Sequence, residues 1–70
     1  MKIVLNGQAF EVAEGSTLGE LIALRQAAGF LKTPVFAVER NKAVVAKKEL
    51  GAVKLEAGDQ VNVAVLVGGG

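Results

Sequence analysis

Seventy residues of 7.2 kDa hold one small domain and leave no room for a second, and 51% apolar residues are enough to fill its core. The absence of His, Cys, Tyr and Trp excludes an imidazole general base, a thiolate nucleophile, Cys/His zinc sites and any disulfide framework. Eight basic against seven acidic residues give a formal charge of +1, and their interspersed signs offer no basic face for nucleic acid.

Lys2 to Leu5 and Gln8 to Val12 are short β-prone runs joined by Asn6-Gly7. Asn-Gly tolerates the positive φ angles of a type I′ turn, whose twist matches the flanking strands. Ile3 and Leu5 should share a face with Phe10 and Val12. Glu14-Gly15 breaks the strand, and Ser16-Thr17-Leu18-Gly19-Glu20 opens a helix. With Thr17 as N-cap, Glu20 falls at N3 and completes a capping box. Leu18, Leu21, Ile22, Leu24 and Ala28 are expected to form its apolar face, and Gly29 is a natural C′ residue.

Thr33-Pro34 turns the backbone toward extended geometry. Val35 to Glu39 reads as a strand, Arg40-Asn41-Lys42 as a turn and Ala43 to Val45 as a short returning strand. Leu50, Val53 and Leu55 should plug the bottom of the core from a turn or short 3₁₀ segment. Glu56-Ala57-Gly58-Asp59 is a tight turn. Val61 to Val67 then alternates Val61, Val63, Val65 and Val67 with Asn62, Ala64 and Leu66. The order is β-β-α-β-β-β, and the helical crossover places the last strand beside the first, in parallel, within a mixed sheet. This is an α+β, β-grasp (ubiquitin-like) architecture of four to five strands with one helix on one face. Residues 1–67 would form the domain and residues 68–70 a glycine tail.

The run from Val61 to Val67 is too short to span a bilayer, and Met1-Lys2 is not followed by the apolar stretch of a signal peptide. The expectation is a cytoplasmic protein, and a monomer. Lys47-Lys48, closed by Glu49, reads as a solvated turn. Ser16 and Thr17 are caps and not nucleophiles, because no base is present to activate them. Glu11, Glu14 and Glu20 span strand, loop and helix without further ligands, so no metal site is expected.

The chemistry therefore has to be sought on the main chain. Gly68-Gly69-Gly70 follows directly on the final strand. A segment without Cβ atoms enters slots too narrow for side chains, and it would present a carboxylate for an ATP-dependent partner to activate. Such a partner also needs a docking surface. Phe36, Ala64 and Leu66, expected on the sheet face not covered by the helix, are either that surface or ordinary core residues of a small sheet, with Val67 anchoring the exit of the tail. Arg40 and Lys42 either guide an acidic group or are a solvated turn.

Lys2-Ile3-Val4-Leu5-Asn6-Gly7, Gly15-Ser16-Thr17-Leu18, Ala37-Val38-Glu39-Arg40-Asn41, Gly58-Asp59-Gln60-Val61 and Val67-Gly68-Gly69-Gly70 together resemble ThiS, the sulfur carrier family of thiamine thiazole synthesis. The resemblance implies a protein cosubstrate and not an enzyme. An E1-like adenylyltransferase of the ThiF type would use ATP and Mg²⁺ to adenylate the Gly70 carboxylate. Persulfide-derived sulfur, for instance from a cysteine desulfurase, would then displace AMP. A thiazole synthase of the ThiG type would receive sulfur from the resulting thiocarboxylate. No cofactor would be bound by this chain itself. Gly69 and Gly70 match the family's terminal pair, and Gly68 stands where many members carry another small residue. A MoaD-like carrier for molybdopterin synthesis, a ubiquitin-like modifier joined through Gly70 to lysines, and an interaction domain with an incidental glycine tail are the alternatives.

Overall fold

A computed structural model describes residues 1–32 and 35–65. In chain order the elements are β1 (Lys2–Leu5), β2 (Gln8–Glu11), α1 (Leu18–Ala27), β3 (Phe36–Arg40), β4 (Ala43–Val45), a 3₁₀ helix (Lys47–Ala52) and β5 (Gln60–Val65). The five strands form one sheet in the order β2-β1-β5-β3-β4. β5 lies in the middle, parallel to β1 with Val4 opposite Gln60 and Leu5 opposite Val61. On its other side it runs antiparallel to β3, from Phe36 opposite Val65 to Arg40 opposite Val61. This is the expected β-grasp order. Thr33-Pro34 and residues 66–70 lie outside the described residues, so the expected extension of the last strand to Val67 does too.

Local chemistry accounts for the turns. Asn6 and Gly7 have φ of 48° and 81°, as the type I′ reading requires, and join Ile3 to Phe10 in register. The second hairpin is built the same way. Asn41 and Lys42 have φ of 52° and 71°, so the turn is two residues long and Arg40 belongs to β3. A three-residue Arg40-Asn41-Lys42 turn is thus corrected; lysine in the left-handed region costs on the order of 1 kcal/mol, which the flanking pairs must offset.

The helix begins as its sequence dictates. The Thr17 hydroxyl accepts from the Glu20 amide at 3.1 Å, and the Glu20 carboxylate accepts from the Thr17 amide at 2.9 Å. It ends in a Schellman motif. The Phe30 amide donates to the Arg25 carbonyl at 3.0 Å and the Gly29 amide to the Gln26 carbonyl at 3.1 Å, with Gly29 at φ 81°.

The core joins one face of the sheet to α1 and the later loops. Ile3, Leu18, Leu21, Val38 and Val61 are its most deeply buried side chains, each stabilising the fold by about 1.5–3 kcal/mol relative to exposure. Leu50 and Leu55 close the bottom of this core as expected, with Val53 packed at its edge. The helix face differs from the expectation. Leu18, Leu21 and Ile22 are buried, but Leu24 is 60% exposed and Ala28 is exposed as well. The buried stripe runs i, i+3, i+4 from Leu18, and its i+7 position is Arg25, which is half-buried. At its start the helix lies close to the 3₁₀ segment. A Cβ on Gly19 would come within 3.2 Å of the Gly51 backbone, so a side chain there would push the two apart.

Candidate functional site

The sheet has two ends, and β5 connects them. At the end where β5 begins, the turns are bound together. The buried Asp59 carboxylate, 6% exposed, accepts from Arg40 Nε at 2.8 Å, from Asn41 Nδ2 at 3.1 Å and from the Glu56 amide at 2.8 Å. Asn41 Oδ1 in turn accepts from the Gln60 amide at 2.9 Å. Burial by itself would raise the Asp59 pKa, but the Glu56 amide, the Arg40 guanidinium and Asn41 outweigh it and hold the pKa below its ordinary value. Arg40 is therefore a structural staple, and the reading of a solvated turn fails for it.

At the other end the pairing runs out. β1 stops at Leu5, where Leu5 lies opposite Val61, while β5 continues to Val65. Asn6 extends the contact by one step, its Oδ1 accepting from the Val63 amide at 2.8 Å. By strand alternation, the main-chain groups of Val65 face the same side as those of Val63, past the end of β1. A cleft of about 120 Å³ opens there, lined by Val63 and Val65 of β5, Asn6 and, across from them, Arg25, Phe30 and Leu31. A second hollow continues under the first hairpin, along Gln8, Ala9 and Phe10, and shares Arg25 with the first. The Arg25 guanidinium carbon lies 4.1 Å from the centroid of the Phe30 ring and 5.2 Å from that of Phe10. Among the described residues it has no ion pair.

Of the residues expected to serve a partner, Phe36 is placed on the wrong face. Its register opposite Val65 puts it on the helix side with Val38, and it is 7% exposed within the core. Lys47 Nζ lies over its ring at 4.3 Å. Phe36 is not part of an open docking face. Ala64 is exposed and lies opposite Ala37 on the face away from the helix. Leu66, Val67, Gly68, Gly69 and Gly70 lie outside the described residues. The grouping of Arg25 with Phe30 and Phe10 lies outside the sequence expectations. The signal available was an arginine at the i+7 position of an otherwise apolar stripe.

No group of three or more Asp and Glu among the described residues is arranged to hold a metal ion. Glu20 is engaged in the helix cap, and Glu11 lies 3.5 Å from the Met1 amine. No described helix is long and apolar enough to cross a membrane.

A mixed sheet with its first and last strands parallel at the centre, and one helix on one face, defines a small ubiquitin-like β-grasp protein. Within that class the chain belongs to the ThiS family, whose model matches residues 3–70. The structure is similar to that of the thiamine biosynthesis protein ThiS from Geobacter metallireducens, with a TM-score of 0.77, 26% identity and 100% of both chains covered. SAMP1 from Haloferax volcanii has a TM-score of 0.64 over 99% of this chain and 97% of that one, at 24% identity, and shows the shared fold. A thiazole synthase from Magnetococcus marinus is 48% identical over 71 residues, a match that takes in 100% of this chain and 20% of the relative. The chain thus spans about a fifth of the length of that curated relative.

Proposed function

We propose that this domain is a sulfur carrier for formation of the thiamine thiazole, with residues 68–70 as a tail and Gly70 bearing the cargo. The observation that carries this reading is the extent of the ThiS family match, which runs through Gly70 in a chain without His or Cys. The chain itself contributes no acid, base or nucleophilic side chain to the chemistry. Its contribution is a deliverable carboxylate and a body for partners to hold.

The Gly70 carboxylate oxygen attacks the α-phosphorus of ATP held with Mg²⁺ by a ThiF-type adenylyltransferase, and pyrophosphate leaves. Persulfide sulfur, supplied by an enzyme such as a cysteine desulfurase, displaces AMP. A thiol then cleaves the S–S bond and leaves the Gly70 thiocarboxylate. A ThiG-type thiazole synthase takes the sulfur from it. The relative that bears the name thiazole synthase and contains a segment 48% identical to this chain supports that pairing. Each partner would contact the open sheet face at Ala64 and the root of the tail at Leu66 and Val67, and the bare backbone of Gly68, Gly69 and Gly70 would thread its narrow slot.

Intact-mass measurement after incubation with the adenylyltransferase, ATP, Mg²⁺ and a persulfide donor tests the reading. The expected result is an oxygen-to-sulfur mass increment on the peptide ending at Gly70, absent when Gly69 and Gly70 are deleted. An unmodified peptide overturns it. Conjugates to lysine in place of the thiocarboxylate would instead mark a protein modifier.

A further inference from the structure

The cleft at the end of β5 combines three features that the fold itself does not require. Its first is an interrupted strand edge: β1 pairs with β5 only as far as Leu5 and Val61, and the Val65 main chain faces the space beyond the Asn6 side chain. A backbone edge of this kind accepts an extended segment as an added strand. The second is a cation with no carboxylate. Arg25 is half-buried between the Phe10 and Phe30 rings and forms no ion pair among the described residues. Contact with two rings restricts the guanidinium, so less freedom is lost when its donors meet an acceptor. The third is an apolar rim. Phe30 is 70% exposed and Val65 48%, beside the half-buried Val63.

We infer that this cleft docks an extended, carboxylate-bearing segment of the adenylyltransferase that activates the tail. The carboxylate pairs with Arg25, an apolar side chain of the segment covers Phe30 and Val65, and its backbone continues the sheet where β1 ends. The inference rests on the carrier reading. Charge complementarity selects an acidic segment, because a half-buried arginine held over two rings and without an ion pair among the described residues gains more from an anion than an exposed lysine does. Position selects an enzyme that takes the tail, and the adenylyltransferase is the first of the two proposed partners to do so. Val65 lines the cleft and stands five residues before Gly70 in the sequence, so a partner seated there holds the root of the tail. Ala64 points to the opposite face of the same strand, and the two contacts would grip β5 from both sides.

The test is calorimetric titration of the whole chain into the ThiF-type adenylyltransferase without ATP, in about 50 mM and about 500 mM salt. Arg25→Gln is expected to weaken binding by about tenfold or more at low salt, with a smaller difference at high salt and partial recovery in Arg25→Lys. Val65→Glu places a negative charge in the cleft without altering the helix, and is expected to weaken binding comparably. Removal of residues 68–70 should preserve the dependence on Arg25. Wild-type affinity in both Arg25→Gln and Val65→Glu overturns the inference. So does loss of the Arg25 dependence on tail removal, which would mean that the chain's own tail occupies the cleft. Thiocarboxylate formation by the wild-type chain is measured in parallel. If it occurs while both variants bind normally, only the docking site is lost. If it does not occur, the carrier reading fails and the docking inference fails with it.

Discussion

The two ends of the sheet are built on opposite principles. Where β5 begins, Arg40, Asn41, Glu56 and Asp59 satisfy one another, and the Val4 and Gly58 amides tie the Asp59 turn to β1 with donations of 2.8 Å each. Where β5 ends, β5 runs past β1, Arg25 meets two aromatic rings but forms no ion pair among the described residues, and Phe30 and Val65 are exposed. A domain of this size has little stability to spare. Polar pairing is concentrated at one end, while the other end exposes the apolar surface of Phe30 and Val65.

That contrast predicts unequal costs of substitution. Asp59→Ala should be the most damaging of the changes considered, because it strands the Arg40, Asn41 and Glu56 donors. The expected loss is about 3 kcal/mol in urea unfolding, and a loss of only a few tenths would break the distinction between the ends. Acid should expose the same group more gently. The folded pKa of Asp59 is lowered from 3.8, so its contribution is fully present above the unfolded value and is lost as the pH falls through the folded one. Melting temperature should therefore fall more between pH 4 and pH 2 in the wild type than in Asp59→Ala; parallel profiles would assign the acid loss elsewhere.

At the opposite end the effects should shrink. Asn6→Ala removes the 2.8 Å bond to the Val63 amide and places alanine at φ 48°, with an expected cost of about 1–2 kcal/mol. Asn6→Gly tolerates the backbone and should lose less, which separates the bond from the strain. Leu24→Lys should change stability by no more than about 0.5 kcal/mol, since Leu24 is 60% exposed. A larger loss would show that Leu24 is part of the core after all.

Sequence was most legible where one or two neighbouring residues decide the geometry. Asn6-Gly7 announces its turn, Thr17 and Glu20 their cap, and Gly29 its helix end. The central place of β5 also follows from its valine alternation and the crossover. What escaped depends on register between distant strands. Phe36 and Ala64 are expected together on the sheet face away from the helix, but Phe36 stands opposite Val65 and Ala64 opposite Ala37, so they occupy different faces. Arg40 and Asp59 are 19 residues apart, and only the pairing of β3 with β5 makes them neighbours. The spacing of Leu18, Leu21, Ile22, Leu24 and Ala28 predicts a broad apolar face, but the buried stripe is narrower and its i+7 place falls to Arg25, whose aliphatic stem can lie against apolar surface while its head meets the rings.

The central position of β5 also has a consequence for the order of synthesis. β1 with β2 and β3 with β4 are separate hairpins, and within the described sheet they are joined only through β5. β5 is the last described element in the chain. During translation the two halves have no strand to unite them until its residues leave the ribosome. Bringing Val63 back to Asn6, 57 residues away, then costs roughly 3–4 kcal/mol of loop-closure entropy before the other contacts of the sheet can compensate. A chain cut short before β5 would remain two unsupported hairpins, which are marginal in water. Completion of the fold and presentation of the segment that follows β5 are thus a single event.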